Sequence, residues 1–533
     1  MQNIQKITSV IKDKNSTILG AAGIVGLGFL GSRILGLLRS IILAEAFGTD
    51  PELAAYWVAF RIPDLIFQLI AGATLSAAFI PIFSRVYFES GPIDAWRLAS
   101  RILNLIALLS FVFATIAFVF APSLIPLIAP GLGESTGNTD LIQQKAIHLT
   151  RLMMISPIFF GISGMFSGIL QAREKFLATA IAPMIYNLSI ILGILFLSEP
   201  YGLYGPAWGV AVGSLAHAFI QIPAIYKSGM QWNASISIRS KNVLEVLKLM
   251  GPRIIGLSAS QINLIALLFF ASLVSDTAIS VITYAYLMMM LPIGLTGMSI
   301  STAVFPTLAK QAAAKQFIQL QETIWGSLRA ILFIALPTSI ALAILAEPLI
   351  RLLFEHGAFN TQSTDFVVRP LIFLCIGIFA HAGIEVLSRG FYALENTKTP
   401  VAIAITAMLL NIILCYILIN PLELIGVASA MTISAIFEFI ILLWLLNKNI
   451  GGLFKKNFLK FIVKLMTSTF FATLAMITVQ YYFSHFEINI DSNIGSILLV
   501  LLTGSTGALV FLIITFQWFQ TKKLISTKFK NMD

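Results

Sequence analysis

The sequence predicts an all-α polytopic membrane protein with about fourteen transmembrane helices, arranged as two parallel six-helix lobes plus two C-terminal helices. Three observations support this fold class. The 533 residues are 58% hydrophobic and 11% charged, with a mean hydropathy of +0.91, whereas a soluble chain of this length needs a more polar surface. Apolar runs of spanning length recur along the whole chain, and one stretch of sequence is repeated.

Fourteen apolar runs are long enough to cross the hydrocarbon core of a bilayer, which takes about 20 helical residues. Their approximate bounds are 20–46, 56–84, 101–129, 149–170, 178–198, 203–226, 250–274, 279–306, 327–347, 367–388, 400–420, 424–446, 459–483 and 493–518. Lys and Arg are concentrated in alternate connections through all of these runs. By the positive-inside rule, both termini are therefore cytoplasmic.

The basic residues also bear on targeting and partners. Lys6, Lys12 and Lys14 precede the first apolar run, which is too long for a signal peptide and contains arginine. We therefore expect an uncleaved first helix. The net charge of +10 is spread over many connections, which is typical of membrane topology and does not indicate a nucleic-acid partner.

A weak internal repeat predicts the domain organisation. Residues 76–85 resemble residues 301–310, and the same offset of 225 superposes Gly72 on Gly297. Six spans separate the copies, so both begin on the same side of the membrane, as in transporters built from parallel repeats. The alternative is that apolar helices resemble one another by chance, but both copies share a proline and a terminal cation. The predicted boundaries are 1–226 for an N-lobe of helices 1–6, 227–249 for a cytoplasmic linker with an amphipathic helix, 250–446 for a C-lobe of helices 7–12, and 447–533 for helices 13–14 and a basic cytoplasmic tail.

Three arginines in the first two spans are the predicted substrate-binding residues. Arg33 and Arg39 lie in the first span and Arg61 in the second, where Pro63 predicts a kink or break of the helix. An arginine at the centre of a membrane helix costs about 2.5–3.5 kcal/mol on insertion scales, so such residues usually face a wet cavity and serve function. A spacing of six residues gives about 9 Å of rise, which lets Arg33 and Arg39 border one cavity at different depths. Guanidinium groups bind phosphate oxygens bidentately, which suits a diphosphate. The alternatives are that Arg33 snorkels or pairs with an acid such as Glu45 or Asp64, and that Arg61 lies at the membrane interface.

We expect no catalytic residues, no metal site and no cofactor. The sequence contains no Walker loop, no His-Glu-x-x-His and no Cys-x-x-Cys. Cys375 and Cys415 fall in apolar runs, where a structural disulfide is not expected. These observations favour secondary transport driven by the membrane potential, with a monovalent cation as a second driving force. Glu385 and Glu438 are the candidate coupling acids, and the alternative is a structural role for each.

Eight motifs run in order across residues 20–445. They are Ser32–Arg39, Ala59–Asp64, Ala78–Pro81, Ala129–Gly131, Gly251-Pro252 followed by Ser260–Asn263, Phe305–Leu308, Leu353–Phe359 and Arg389–Val401. Together they resemble the MurJ/MviN family of lipid II flippases, which belongs to a superfamily with drug and oligosaccharide exporters. The last two motifs are the most specific.

The resemblance implies a flippase that moves lipid II, an undecaprenyl-diphosphate-linked muropeptide, from the inner to the outer leaflet of the bacterial cytoplasmic membrane for cell wall synthesis. It implies alternating access, two extra helices forming a groove for the lipid tail, and contacts with membrane lipids and other cell-wall synthesis proteins. Arg33 and Arg39 fall on two of the family's cavity arginines, and Arg61 falls where many members have lysine or arginine. Asn411 matches one ligand of a sodium site found in some members, which makes it the candidate cation-binding residue.

The sequence departs from the family at several cavity positions. Ser40 stands where aspartate is common, Tyr284–Leu287 replaces a pattern that ends in Asp-Arg, and Cys415 stands where an acid is expected. A less charged cavity leaves two alternatives open. One is a flippase of another polyprenyl-diphosphate-linked oligosaccharide, and the other is a cation-coupled drug exporter. The exporter predicts acids deep in the N-lobe helices, where Glu45 and Asp64 are the candidates.

Overall fold

The structure is a computed structural model that describes residues 18–72, 78–452, 458–485 and 493–530. Throughout these ranges the chain forms helices joined by short turns, and no strand occurs in them. The predicted all-α class is therefore confirmed. The lysines before residue 18, part of the repeat segment 76–85 and the last three residues of the basic tail lie outside the described residues.

The chain divides into two compact units at Ser280. The helices up to that point are α1 (Ile18–Phe47), α2 (Pro51–Phe67), α3 (Ile80–Glu89), α4 (Pro92–Ile128), α5 (Thr139–Met153), α6 (Ser156–Ala172), α7 (Leu177–Tyr201), α8 (Tyr204–Phe219), α9 (Ile222–Tyr226) and α10 (Lys241–Ser272). The following helices are α11 (Ala278–Ile293), α12 (Ser299–Ala313), α13 (Phe317–Ile344), α14 (Ala346–Phe354), α15 (Thr361–Ile376), α16 (Ile378–Ala393), α17 (Lys398–Ile450), α18 (Phe458–His485) and α19 (Asn493–Lys530).

The number of spans is close to the predicted fourteen. In the described ranges, twelve helices are long and apolar enough to cross a membrane, and α15 with α16 forms a thirteenth span bent by 44°. Helix α17 has 53 residues, about 80 Å at 1.5 Å per residue, which is far more than a hydrocarbon core of about 30 Å. It is interrupted at Glu423, where φ is 49° and ψ is −130°. Counting its two halves as separate spans gives the predicted number.

Both copies of the repeat contain the same local irregularities. Gln68–Gly72 and Gly294–Met298 are π-helical turns, so the pair Gly72 and Gly297 falls in equivalent turns. Glu174 follows α6 with φ 58°, and Glu395 follows α16 with φ 59°. A positive φ is uncommon for a residue other than glycine, and an apolar composition does not produce it. The matching irregularities therefore support a genuine repeat.

Helix α10 is held to the other helices of the first unit by polar contacts at three places along its length. At its start, Arg85 donates two hydrogen bonds to the Glu245 carboxylate, at 3.0 and 2.6 Å. Beyond its end, Asp276 accepts hydrogen bonds from the backbone N–H groups of Gly133 and Thr136, at 2.7 and 2.8 Å. The middle contact, made by Gln261, belongs to the candidate site described below. The predicted amphipathic helix is the first part of α10 and continues into the span without a break. The predicted lobe boundaries, which place this span in the C-lobe, stay a prediction.

The turn at Glu423 yields a stability prediction. Gly202, at the equivalent turn of the first copy, has φ 56° and ψ −134°, and glycine adopts this conformation without a Cβ penalty. We expect Glu423→Gly to raise the free energy of unfolding by about 1 kcal/mol, because it removes backbone strain. The matched change Gly202→Ala should lower it by a similar amount. The thermal unfolding midpoint of the purified proteins checks both, and a lower midpoint for Glu423→Gly would contradict the strain.

Candidate functional site

Helix α1, which carries two of the predicted arginines, packs on α7 through a face of small residues. A Cβ added to Gly31 would lie 2.8 Å from Cε of Met184, and one added to Gly28 would collide with the side chain of Ala180. One turn further, Asn187 donates hydrogen bonds to the carbonyl groups of Ser32, at 3.4 Å, and of its own helix. This close approach fixes the rotation of α1 and therefore the direction in which its other residues point.

Arg33 and Arg39 point to different sides of α1. The Arg33 guanidinium lies 5.0 Å from the centroid of the Phe29 ring, and its side chain is exposed on the surface of the chain. Arg39 is half-buried and interacts electrostatically with Tyr56 of α2 and Tyr186 of α7. Among the described residues, no carboxylate lies within 4.0 Å of the nitrogen atoms of either arginine. Both charges therefore lack an acidic counterpart in this part of the chain.

Arg61 differs because it has an acidic partner. Its Nη1 atom lies 3.2 Å from Oδ2 of Asp64 on the next turn of α2. Its Nη2 atom donates to the side-chain oxygen of Gln261 of α10, at 2.5 Å. The Arg61 side chain is 14% exposed and the Asp64 side chain 25% exposed. Arg61 is therefore one half of an ion pair, whereas the sequence offered Asp64 only as a partner of Arg33.

Tyr186 of α7 lies near charged side chains of both α1 and α2. It interacts electrostatically with Arg39 and with Asp64, the partner of Arg61. Arg39 and Asp64, the partner of Arg61, are therefore both near Tyr186, whereas the Arg33 side chain is exposed. Tyr186 and Gln261 were not predicted as site residues. One signal was a polar side chain in an apolar run, but many such side chains are structural. A second signal, for Gln261 alone, was its position in the family motif Ser260–Asn263.

The second span is not broken where its proline suggested. Helical hydrogen bonding continues through Pro63 to Phe67, and the irregular segment is the π-helical turn Gln68–Gly72. A π-helical turn leaves backbone groups less regularly paired and is common at functional sites. The break expected at Pro63 therefore lies about one turn further along the span.

The candidate coupling residues lie in the second unit. Glu385 is 3.8 Å from Arg389, whose other nitrogen atom donates to the Thr302 hydroxyl at 2.7 Å. Asn411 is buried and accepts a weak hydrogen bond from Cys415 at 3.7 Å. Within the described ranges, no group of three or more His, Cys, Asp or Glu residues could hold a metal ion. A cation site at Asn411 stays a prediction.

Comparison with known proteins shows which family the chain belongs to. A family model described as lipid II flippase MurJ matches residues 43–494. The chain belongs to the lipid II flippase MurJ family. A Buchnera aphidicola (subsp. Acyrthosiphon pisum) protein named probable lipid II flippase MurJ is 30% identical over 464 residues, covering 86% of this chain and 89% of the relative. A Burkholderia cenocepacia protein named lipid II flippase MurJ is 29% identical over 446 residues, covering 82% of this chain and 85% of the relative.

Solved structures support the same assignment. The chain matches a structure described as lipid II flippase MurJ, inward closed conformation, with a TM-score of 0.78 and 27% identity, over 93% of this chain and 99% of that one. An inward-facing transporter of the multidrug resistance MATE family matches with a TM-score of 0.67 and 16% identity, over 80% and 95% of the two chains, and shares the fold. The predicted family is therefore confirmed, and the protein is a multi-pass transporter of the bacterial inner membrane.

The motif Leu353–Phe359 has a structural role in the second unit. Glu355 accepts hydrogen bonds from the hydroxyl groups of Thr361 and Thr364, at 3.0 and 2.5 Å, and this closes the turn between α14 and α15. Phe354 and Phe359 pack against the buried Tyr284 ring at centroid distances of 5.3 and 5.6 Å. This motif therefore builds the fold, which explains why it carried the resemblance better than the arginines.

The small-residue face of α1 yields a second prediction. Gly28→Val should lower the free energy of unfolding by about 1–3 kcal/mol, because its side chain would push α1 away from Ala180. Gly26→Val, two residues earlier on the same helix, meets no atom within 4 Å and should leave stability unchanged. The thermal unfolding midpoint in detergent measures the difference. Equal effects of the two substitutions would show that α1 does not sit on α7 through Gly28.

The Arg61 ion pair yields a third prediction. Arg61→Gln should cost about 1–3 kcal/mol of stability, because it leaves the half-buried Asp64 carboxylate unpaired. The double variant Arg61→Gln with Asp64→Asn should recover most of the loss. Arg97 and Asp94 form an exposed pair of the same spacing at 3.1 Å, so Arg97→Gln should change stability little. A double variant no more stable than Arg61→Gln alone would contradict the pairing.

Proposed function

We propose that this chain moves lipid II from the inner to the outer leaflet of the cytoplasmic membrane by alternating access, for cell wall synthesis. The observation that carries the proposal is that α1, in a chain of this family, holds two arginines without a described carboxylate partner. A spanning helix holds two guanidinium groups, and no described carboxylate neutralises either one. Such an arrangement is costly in lipid unless an anion compensates it, and the diphosphate of a polyprenyl-linked precursor is an anion of suitable size.

The proposed roles of the three arginines differ. Arg33 and Arg39 bind the diphosphate, since each offers a planar group that can donate two hydrogen bonds to phosphate oxygens. Arg61 is largely compensated by Asp64, so it contributes hydrogen-bond donors and positioning more than net charge. Binding and positioning suffice for this transport, so the proposal assigns no catalytic residue and no cofactor to the chain.

The proposed driving force is the membrane potential. An inside-negative potential favours outward movement of an anion by about 2.3 kcal/mol per charge for each 100 mV. A monovalent cation bound near Asn411 is a second contribution, and it would help to return the empty carrier. The proposed topology places both termini in the cytoplasm, in line with the alternation of basic connections. Other cell-wall synthesis proteins are proposed partners on the outer side.

The second candidate function is a flippase of another polyprenyl-diphosphate-linked oligosaccharide. It is favoured by the stretch Tyr284–Leu287, which has no charged residue where family members have aspartate and arginine. Such a substrate would use the same arginines and differ in the sugar. A cation-coupled drug exporter is less well supported, because Asp64, one of its two candidate acids, is paired with Arg61 and is not an open cation site.

Complementation tests the function and the role of Arg39 together. Expression of this chain should restore growth of cells depleted of their own lipid II flippase. Arg39→Ala should abolish that growth, and Arg39→Lys should restore only part of it, because lysine cannot donate bidentately. Arg97→Ala, which removes an exposed arginine outside the site, is the matched control and should support normal growth.

Membrane insertion must be checked by immunoblot of the membrane fraction for each variant. Failure of the unsubstituted chain, when inserted normally, would argue for the second candidate substrate. Normal growth with Arg39→Ala would refute the diphosphate role of that residue.

A further inference from the structure

The connection between α9 and α10, part of the predicted linker 227–249, contains a non-helical segment that is attached to α4, which the sequence did not predict. Residues 231–238, here called the strap, run along α4 without helical or strand pairing of their own. Two side chains of α4 hold the strap. Ser100 donates to the carbonyl of Gln231 at 3.3 Å and accepts from the Asn233 N–H at 3.1 Å. Asn104 donates to the carbonyl groups of Asn233 and Ser235, at 2.8 and 3.0 Å.

The strap alternates polar and apolar residues. The odd positions are Gln231, Asn233, Ser235 and Ser237, and the even positions are Trp232, Ala234, Ile236 and Ile238. In an extended segment, successive side chains point to opposite faces. The three large apolar side chains are 62%, 51% and 52% exposed in chain order. The strap therefore exposes three large apolar side chains, while α4 holds its backbone and also the Trp232 indole N–H, which donates to Oδ1 of Asn104 at 3.0 Å.

The strap crosses α4 where the exposed side chains of that helix change from charged to apolar. Leu108, Phe111 and Val112 lie four, seven and eight residues beyond Asn104, on the same side of the helix, and all three are exposed apolar side chains. Toward the other end, Arg97 and Asp94 are exposed and form an ion pair. The strap therefore crosses α4 where a lipid-facing band begins, about 6 Å before Leu108.

The residues around the strap are basic. Lys227 precedes it, Arg239 follows directly, and Lys241 begins α10, and all three are exposed. The strap itself contains no acid. Tryptophan is enriched at membrane interfaces, and basic residues next to apolar ones bind anionic head groups there. Both the apolar face and its charged ends fit the surface of an anionic leaflet.

We propose that the strap is an interfacial membrane anchor. Trp232, Ile236 and Ile238 insert at the boundary between head groups and acyl chains, and Lys227 and Arg239 bind anionic phospholipid head groups. The connection between α9 and α10 is thereby held to the membrane surface at the end of α4. This is the cytoplasmic leaflet if the proposed topology is correct, but the lipid contact itself does not depend on the side.

Site-specific fluorescence in nanodiscs tests the lipid contact. The full chain carries a thiol-reactive fluorophore at Ile236→Cys, or at Ser237→Cys as the matched control on the opposite face of the strap. The native Cys375 and Cys415 are buried, and the labelled unsubstituted chain measures their background. We expect nitroxide-labelled phospholipid to quench the Ile236 probe at least about twice as strongly as the Ser237 probe. Iodide in the water should quench the two probes in the opposite order.

Two outcomes would overturn the proposal. Equal quenching of both probes by iodide, with no effect of the nitroxide lipid, would mean that the apolar face is in water. Protection of the Ile236 probe from both quenchers would mean that protein covers it. The Trp232 emission gives a second readout without labelling. The emission of Trp232 is obtained by subtracting the emission of the Trp232→Phe variant from that of the unsubstituted chain. Brominated phospholipid should quench this emission, and the absence of quenching would also contradict insertion.

The charge contribution is tested by the lipid composition. Replacing phosphatidylglycerol by phosphatidylcholine should reduce the lipid quenching of the Ile236 probe. The double variant Lys227→Gln with Arg239→Gln should remove that dependence, and a dependence that persists would refute the head-group contact. Complementation of flippase-depleted cells is read separately, so a strap that stays in water in a chain that supports growth would refute the anchor alone.

Discussion

A guanidinium group in a hydrocarbon environment is the constraint on which the first unit depends. Arg33 and Arg39 are placed within a spanning helix, and the charge cost of each is comparable with a large part of a domain's net stability. The glycine face of α1 lets it approach α7 closely, and this orients both arginines. Arg61, in contrast, is compensated by Asp64 and held by Gln261. Of these three arginines, only Arg61 therefore has a carboxylate partner among the described residues.

The repeat is preserved in the backbone and not in the charges. Its two copies share π-helical turns and positive-φ residues at equivalent positions. At the offset of 225, however, Ser258 stands opposite Arg33 and Leu264 opposite Arg39. The Ser258 hydroxyl donates to a carbonyl of its own helix at 2.7 Å, so it imposes no demand for an anion. The two copies of the repeat thus share backbone features but differ in positive charge, because only the first copy has arginines at these positions.

The two helices α1 and α10 also differ in how they are held, although the repeat makes them equivalents. Helix α1 is seated by small residues, whereas α10 is held by polar contacts at Glu245, Gln261 and Asp276. The Glu245 contact is exposed and contributes little to stability. Gln261 and Asp276 are buried, so breaking their hydrogen bonds would be costly.

The sequence alone determined the spans, their approximate number, the repeat and the family, because the length of an apolar run and the chemistry of a motif are local properties. It also identified the arginines, since a charge in an apolar run is visible without neighbours. Only the tertiary structure decided that Arg61 pairs with Asp64 and contacts Gln261, and that Arg33 is exposed whereas Arg39 is half-buried. It also decided that Ser100 and Asn104 hold the strap on α4. These contacts join residues up to 200 positions apart, and the packing of helices, not the local pattern, brings them together.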